Sequence, residues 1–194
     1  MIGTAASNLM AAVLFIFVSR LYDVGDRVHI YAGGSATKGE EPTDVTVVKV
    51  DLMTTVFKRW DEQVFYMPNH LLAKKTIVNI QRAAHQWHEF MIQVAASTPS
   101  KKLEALHTSL QAFSKSKDKP EGLYSRMGFS LVGIEDSTKL TIRITFRQRA
   151  NWQNMEKKWA CQSMCTWAIK NSCDKMGISY ALPEVPLRIK DKSS

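Results

Sequence analysis

The sequence predicts an α+β chain in three parts: the end of an apolar membrane-type helix, a small five-stranded β-barrel, and an α+β sandwich with an open sheet. Three observations predict it. The apolar run Leu9 to Val18 stops at Arg20 and gives way to a charged turn and a strand pattern. Short β-branched segments with tight turns then follow one another from Val28 to Ile80. From His88 onward the periodicity alternates between two and 3.6, in the order β-α-β-β-α-(β).

The helix comes first, over residues 4 to 20. Its run Leu9 to Val18 is too short to cross a bilayer, which takes about 20 apolar residues, yet too apolar all round for a surface helix. It reads as the tail of a membrane helix; a helix buried in a soluble core is the competing reading. The small residues Ala5, Ala6, Ser7, Ala11 and Ala12 permit close packing, and Gly3 marks a possible kink. The turn Asp23 to Asp26 places Gly25 at positive φ. Val28 to Tyr31 is a strand, and Ala32 to Thr43, with its glycines, proline and glutamates, is an exposed loop. Val45 to Val50 is the next strand. Thr54 to Trp60 and Gln63 to Met67 form a hairpin around Asp61-Glu62. Pro68-Asn69 stops the second arm, with Asn69 as the cap of a helical turn from His70 to Lys74. Ile77 to Ile80 closes an SH3/Lsm-like barrel.

In the second half, His88 to Ala95 alternates as a strand. Thr98 to Lys115 is a helix with Leu103, Leu106, Leu110 and Phe113 on one face, started by Thr98-Pro99. Met127 to Glu135 and Leu140 to Arg149 are strands, the latter with Leu140, Ile142, Ile144 and Phe146 inward. Asn154 to Met176 is a long helix closed by Gly177, and Pro183 to Ile189 is a final extended segment. The arrangement is ferredoxin-like.

Composition narrows the function. Net charge is +8 and the pI about 9.4, which implies acidic partners: nucleic acid, anionic lipid or permeating anions. Cys161 and Cys165 lie on one predicted helix and form no disulfide framework, which suggests a reducing compartment and buried small residues. His85 and His88 flank Trp87 without a metal-ligand pattern. No nucleophile elbow, P-loop or paired catalytic carboxylates are present, so the chain reads as neither an enzyme nor a cofactor binder. Phe57-Lys58-Arg59-Trp60 interleaves aromatic and basic residues, as a barrel stacking bases would, so a soluble basic nucleic-acid module is the alternative. The apolar run has no use in such a module.

Three segments carry a family resemblance. Tyr22-Asp23-Val24-Gly25-Asp26-Arg27-Val28 resembles the junction motif of the small-conductance (MscS-like) mechanosensitive ion channel family in its eukaryotic branch. Tyr66-Met67-Pro68-Asn69 is similar to that family's strand-ending Pro-Asn, and Ile77-Val78-Asn79-Ile80-Gln81-Arg82 to its Ile-x-Asn-x-Ser-Arg. Their order and spacing match; residues 98 to 194 match in layout more than in motif. Leu21 stands where the family usually has Pro, Gln81 where it has Ser, and the loop Ala32 to Thr43 is longer than in bacterial members.

The resemblance implies a membrane-bound homoheptamer gated by tension, which relieves osmotic stress, with the chain cytosolic from about residue 21. It divides the chain into a pore-helix end (1–20), a β domain (21–82) and a vestibule domain (83–194). Ser7, Asn8, Ala11 and Ala12 then lie on the lower pore helix, Asp23, Gly25 and Asp26 make the hinge turn, and Pro68, Asn69, Asn79 and Arg82 fix the β domain. Lys101, Lys102, Lys115, Lys117 and Lys119 form a basic cluster facing the vestibule. The implied partners are further copies of the chain, membrane lipid and permeating ions, with no nucleic acid and no cofactor. The chain reads as a fragment of a longer protein or the product of a truncated gene model, with the gate upstream of it.

Overall fold

A computed structural model of the chain describes residues 2–32, 41–117, 119–135, 138–149 and 151–179. It is α+β and divides into two compact units. The first comprises Met1–Ala84 with Asn151–Met155, the second His85–Ala150 with Glu156–Ser194. The short segment Asn151–Met155, which the sequence reading placed in the second domain, therefore counts with the first.

The first unit opens with helix α1 (Ile2–Val13), which continues as a π-helical stretch over Leu14–Ser19 and ends at Arg20 in the left-handed region, φ 41°. The departure from α geometry falls at Leu14, not at Gly3. Ala12 and Phe15 are buried, whereas Met10, Leu14, Phe17 and Val18 are exposed, so one helix face packs inward and the other presents bare hydrocarbon. Among the described residues no helix is long and apolar enough to cross a membrane.

Strands β1 (Arg27–Tyr31), β2 (Thr43–Val50), β3 (Thr54–Arg59), β4 (Val64–Pro68) and β5 (Thr76–Asn79) form one antiparallel sheet in the order β4-β3-β2-β1-β5. β2 carries an irregularity between Val47 and Lys49, where a bulge increases local twist. A short helical turn, α2 (Asn69–Leu72), links β4 to β5 and packs on α1. The core joins Phe15 and Tyr22 to Val28, Ile30, Val45, Val47, Phe57 and Leu72. Residues 33–40 of the expected exposed loop lie outside the described residues.

In the second unit, β6 (Gln86–Ala95), β7 (Leu123–Glu135) and β8 (Lys139–Gln148) form an antiparallel sheet in the order β6-β8-β7. Ten consecutive pairs hold β6 to β8, from Gln86 opposite Gln148 to Ala95 opposite Lys139. Helices α3 (Ser100–Lys115) and α4 (Met155–Lys175) share one apolar core with that sheet. It includes the inward row Leu140, Ile142, Ile144 and Phe146, the α3 row Leu103, Leu106 and Leu110, and the α4 residues Cys161, Cys165, Ile169 and Cys173.

Pro99 stands at the N-cap of α3 rather than at its first helical position, and no side chain caps that end. Thr141 of β8, which the strand alternation puts on the outer face, is buried, as is Gln148. Gly177 at φ 57° ends α4, and the Ile178 amide donates to the Cys173 carbonyl at 3.0 Å. The chain then returns alongside β6, where the Ala95 amide donates to the Ser179 carbonyl at 3.3 Å. The expected last segment, Pro183 to Ile189, lies outside the described residues.

Candidate functional site at the helix–sheet junction

The junction between helix and sheet is built from residues far apart in sequence. A helix end leaves carbonyls without partners. Here Arg82 supplies one: its guanidinium donates to the Arg20 carbonyl at 2.8 Å and to Asp23 Oδ2 at 3.0 Å. The cation also sits at the negative end of the helix dipole. Asn79 ties the next residues, donating to the Leu21 carbonyl at 3.0 Å and to Asp26 Oδ2 at 2.7 Å, while its own Oδ1 accepts the Arg82 amide at 3.1 Å. Asp26 Oδ2 also receives the Asp23 amide at 3.0 Å. Asp23 is thus a partner of Arg82, and Asp26 is the buried centre of the turn.

Gly25 adopts φ 94°, a conformation that side chains with a Cβ rarely take. Its amide donates to the Val47 carbonyl at 2.8 Å, and the Val47 amide returns a bond of the same length to the Asp26 carbonyl. The turn is therefore stitched to β2. From the other side Gln153 donates to the Gly25 carbonyl at 2.7 Å and accepts the Arg27 amide at 2.9 Å. Asn151 donates to the Gln81 carbonyl at 2.8 Å. The motif reading contained neither Gln153 nor Asn151.

A second set of contacts runs inward from Tyr22. Its ring lies edge-on to Phe15 at 5.8 Å and to Phe57 at 5.9 Å, and Phe57 stacks on Phe65 at 5.5 Å, so one ladder of rings joins the helix end to the sheet. Asn69, fully buried, accepts the Thr55 hydroxyl at 2.7 Å. That leaves Thr55 Oγ1 to accept from the Tyr22 hydroxyl at 3.0 Å. Burial raises the Tyr22 pKa, partly offset by the Thr55 bond, so the phenol stays protonated and donates. Asn69 also donates to the carbonyls of Asp51 and Leu52, at 2.8 and 3.0 Å. It organises the β2–β3 turn as well as opening α2, directly after Pro68 at the N-cap.

Ser7 and Asn8 are exposed, Ala11 is half-buried and Ala12 is buried, so only the last two approach the packed face of α1. The five lysines separate. Lys102 donates to the Gly177 carbonyl at 2.8 Å and caps α4, and Lys119 donates to the Ser114 carbonyl at 3.1 Å beyond the end of α3. Lys101, Lys115 and Lys117 are exposed. Of the aromatic–basic segment, Phe57 is 0% exposed and Trp60 62%. Phe57 is therefore not available to stack a base.

Comparison with known proteins bears on this geometry. Residues 4–82 match the family model for the mechanosensitive ion channel beta-domain. Over those residues the chain is similar to the beta-domain of mechanosensitive ion channels. The Arabidopsis thaliana mechanosensitive ion channel protein 7 is 25% identical over 190 residues, covering 98% of this chain and 21% of that protein. Mechanosensitive ion channel protein 4 of the same plant is 28% identical over 191 residues, covering 98% and 20%. In the fungus Emericella nidulans, mechanosensitive ion channel protein BA is 24% identical, covering 96% and 18%. The chain thus spans about one fifth of the curated relatives it matches. The crystal structure of Helicobacter pylori MscS in its closed state shares the fold at a TM-score of 0.71, with 16% identity, covering 97% of this chain and 66% of that one. The cryo-EM structure of Arabidopsis thaliana MSL1 does so at 0.69, with 18% identity, covering 93% and 61%. Of the junction residues, Arg20 to Asp26, Asn79 and Arg82 fall inside the matched residues 4–82, whereas Asn151 and Gln153 lie outside them.

Proposed function

We propose that the chain is the lower pore and cytosolic portion of a tension-gated channel subunit. Residues 1–20 end a pore-lining helix, 21–82 form an SH3/Lsm-like β domain, and 83–194 form a ferredoxin-like vestibule domain. Several copies, seven by family resemblance, would surround a water-filled path, with lipid against the membrane helices and ions as cargo.

The observation that carries this reading is the double attachment of the helix end, by Arg82 and Asn79 outside and by the Phe15–Tyr22–Phe57 ladder inside. A helix so held cannot move without moving the sheet. Tension favours the state of larger in-plane area, and this attachment lets membrane work bias a two-state equilibrium of the whole subunit. The exposed apolar face Met10, Leu14, Phe17 and Val18 suits a helix whose remaining neighbours are other helices or lipid.

The test is electrical. Expressed alone in bacterial spheroplasts under suction, the chain should give no tension-activated current, because its apolar run lacks the length to span. Exchanged for the matching segment of one of the plant relatives, it should restore such current. A chimera that folds, reaches the membrane and stays silent under tension would refute the proposal.

A further inference from the structure

The outer face of the second sheet carries a row of arginines. Along β8 the side chains of Ile142, Ile144 and Phe146 turn into the core, which puts Arg143, Arg147 and, two residues further on, Arg149 on the opposite face. Arg143 is paired, with its Nε 2.8 Å from Glu89 Oε1. Arg147 and Arg149 make no ion pair and no side-chain hydrogen bond among the described residues. Arg147 Nε is moreover buried, and it too lacks a hydrogen-bond partner among them.

Aromatic rings hold these two cations instead. Between the pairs Leu123–Gln148 and Met127–Phe146, β7 sets three residues, Tyr124 to Arg126, opposite the single residue Arg147. Such a bulge re-aims side chains, and here it brings one ring to two arginines. The Arg147 guanidinium carbon lies 4.9 Å from the Tyr124 ring centroid and 5.8 Å from that of Trp87. The Arg149 guanidinium carbon lies 5.5 Å from the same Tyr124 centroid. His85 meets Tyr124 edge-on at 5.5 Å, with its Nδ1 3.4 Å from the phenol oxygen, and so fixes the ring. Trp87 stands opposite Arg147 on β6, an edge strand of this sheet, and is 48% exposed.

This arrangement suits a phosphate. A guanidinium stacked on a ring uses its face, while its N–H donors lie in its plane and stay free to hold two oxygens of one anion. Two like charges beside one ring repel each other, and a dianion between them removes that repulsion. Trp87 adds an exposed flat surface next to Arg147, and an aromatic side chain so placed stacks on any base.

We propose that this face of the second unit binds a nucleotide, its phosphate held by the forks of Arg147 and Arg149 and its base stacked on Trp87. Tyr124 and His85 position the two arginines. Every one of these residues belongs to the second unit, so the site does not depend on the channel reading.

The experiment titrates the full chain, held in non-ionic detergent, with AMP, ribose 5-phosphate and adenosine in a calorimeter at low salt. AMP should bind at one site per chain, ribose 5-phosphate several-fold more weakly, and adenosine not measurably. Arg149→Gln and Arg147→Gln should each weaken AMP about tenfold, as loss of a charged hydrogen-bond donor does. Trp87→Ala should remove the difference between AMP and ribose 5-phosphate. Changing the exposed Lys101 and Lys117 to Gln should leave the AMP affinity as it is, although it lowers the net charge by the same kind of step. If Arg147→Gln fails to fold, the exposed positions Arg149 and Trp87 decide by themselves. No heat with AMP at millimolar concentration, adenosine binding as well as AMP, unchanged affinity in Arg149→Gln, or an equal loss in the lysine variant would each overturn the proposal.

Discussion

The two units solve stability differently. The second rests on an apolar core in which two helices cover one sheet face, and among its charged side chains Lys102 caps α4 and Arg143 pairs with Glu89 across the sheet. The first has a smaller core, and at its helix junction it relies on buried or half-buried amides and carboxylates that each hold several backbone groups. Apolar packing is non-directional, whereas a hydrogen bond fixes where a chain enters and leaves. A unit that must hold a helix in one direction therefore spends polar side chains on the junction.

Substitutions can break this contrast, beginning with the largest effect. In the second unit Phe146→Ala empties the centre of the core and should destabilise by about 3–5 kcal/mol. Hydrogen exchange followed by mass spectrometry should show lost protection across β6–β8 with β1–β5 unaffected; equal loss in both units would make them one cooperative body. In the first unit Asn69→Leu keeps volume but strands the Thr55 hydroxyl and the carbonyls of Asp51 and Leu52, at a cost of about 3 kcal/mol. Protection should now fall in β2–β4 instead, and an unchanged denaturation midpoint would show that Asn69 is not the keystone.

At the hinge the effect is smaller. A Cβ on Gly25 would meet nothing within 4 Å, so the cost of substitution is backbone strain alone, about 1–3 kcal/mol. Gly25→Ala and Gly25→Val should therefore destabilise nearly equally in a denaturant titration. A much larger penalty for Val would place a neighbour at the turn.

The weakest expected effect concerns charge. Lys101 and Lys115 stand at opposite ends of α3, about 21 Å apart along the axis. Screening acts over about 8 Å at physiological salt, so the two ends act independently. In the chimeric channel, changing Lys101, Lys115 and Lys117 to Gln, with Lys102 and Lys119 left to cap their helices, should reduce anion preference slightly at low salt. Matching reversal potentials in a KCl gradient would make these lysines a solvated surface only.

What could be read from sequence followed how local the cause was. The β2–β4 strands, the inward row of β8 and Gly177 at the end of α4 all follow from period and turn chemistry within a few residues. Asn79 and Arg82 were reachable because they sit in a motif, although their partners Leu21, Arg20 and Asp23 were not. Gln153 and Asn151 carry no local signal, since they meet Gly25 and Gln81 across 128 and 70 residues. Cys161 and Cys165 read as buried small residues from their place on a helix, and both are buried. The lysines looked like one cluster because sequence proximity does not show which of them point back onto helix ends.

The central claim is that the helix end and the sheet move as one, and Arg82 tests it most directly. Its ion pair with Asp23 is about half exposed, so Arg82→Gln should cost no more than about 1 kcal/mol and leave the fold intact. It nevertheless removes the bond to the Arg20 carbonyl that anchors the helix from outside. In the chimeric channel, the tension midpoint measured in excised patches should shift clearly between wild type and Arg82→Gln while hydrogen exchange in β1–β5 stays the same. A midpoint that does not move, with Arg82→Gln folded and conducting, would contradict the account.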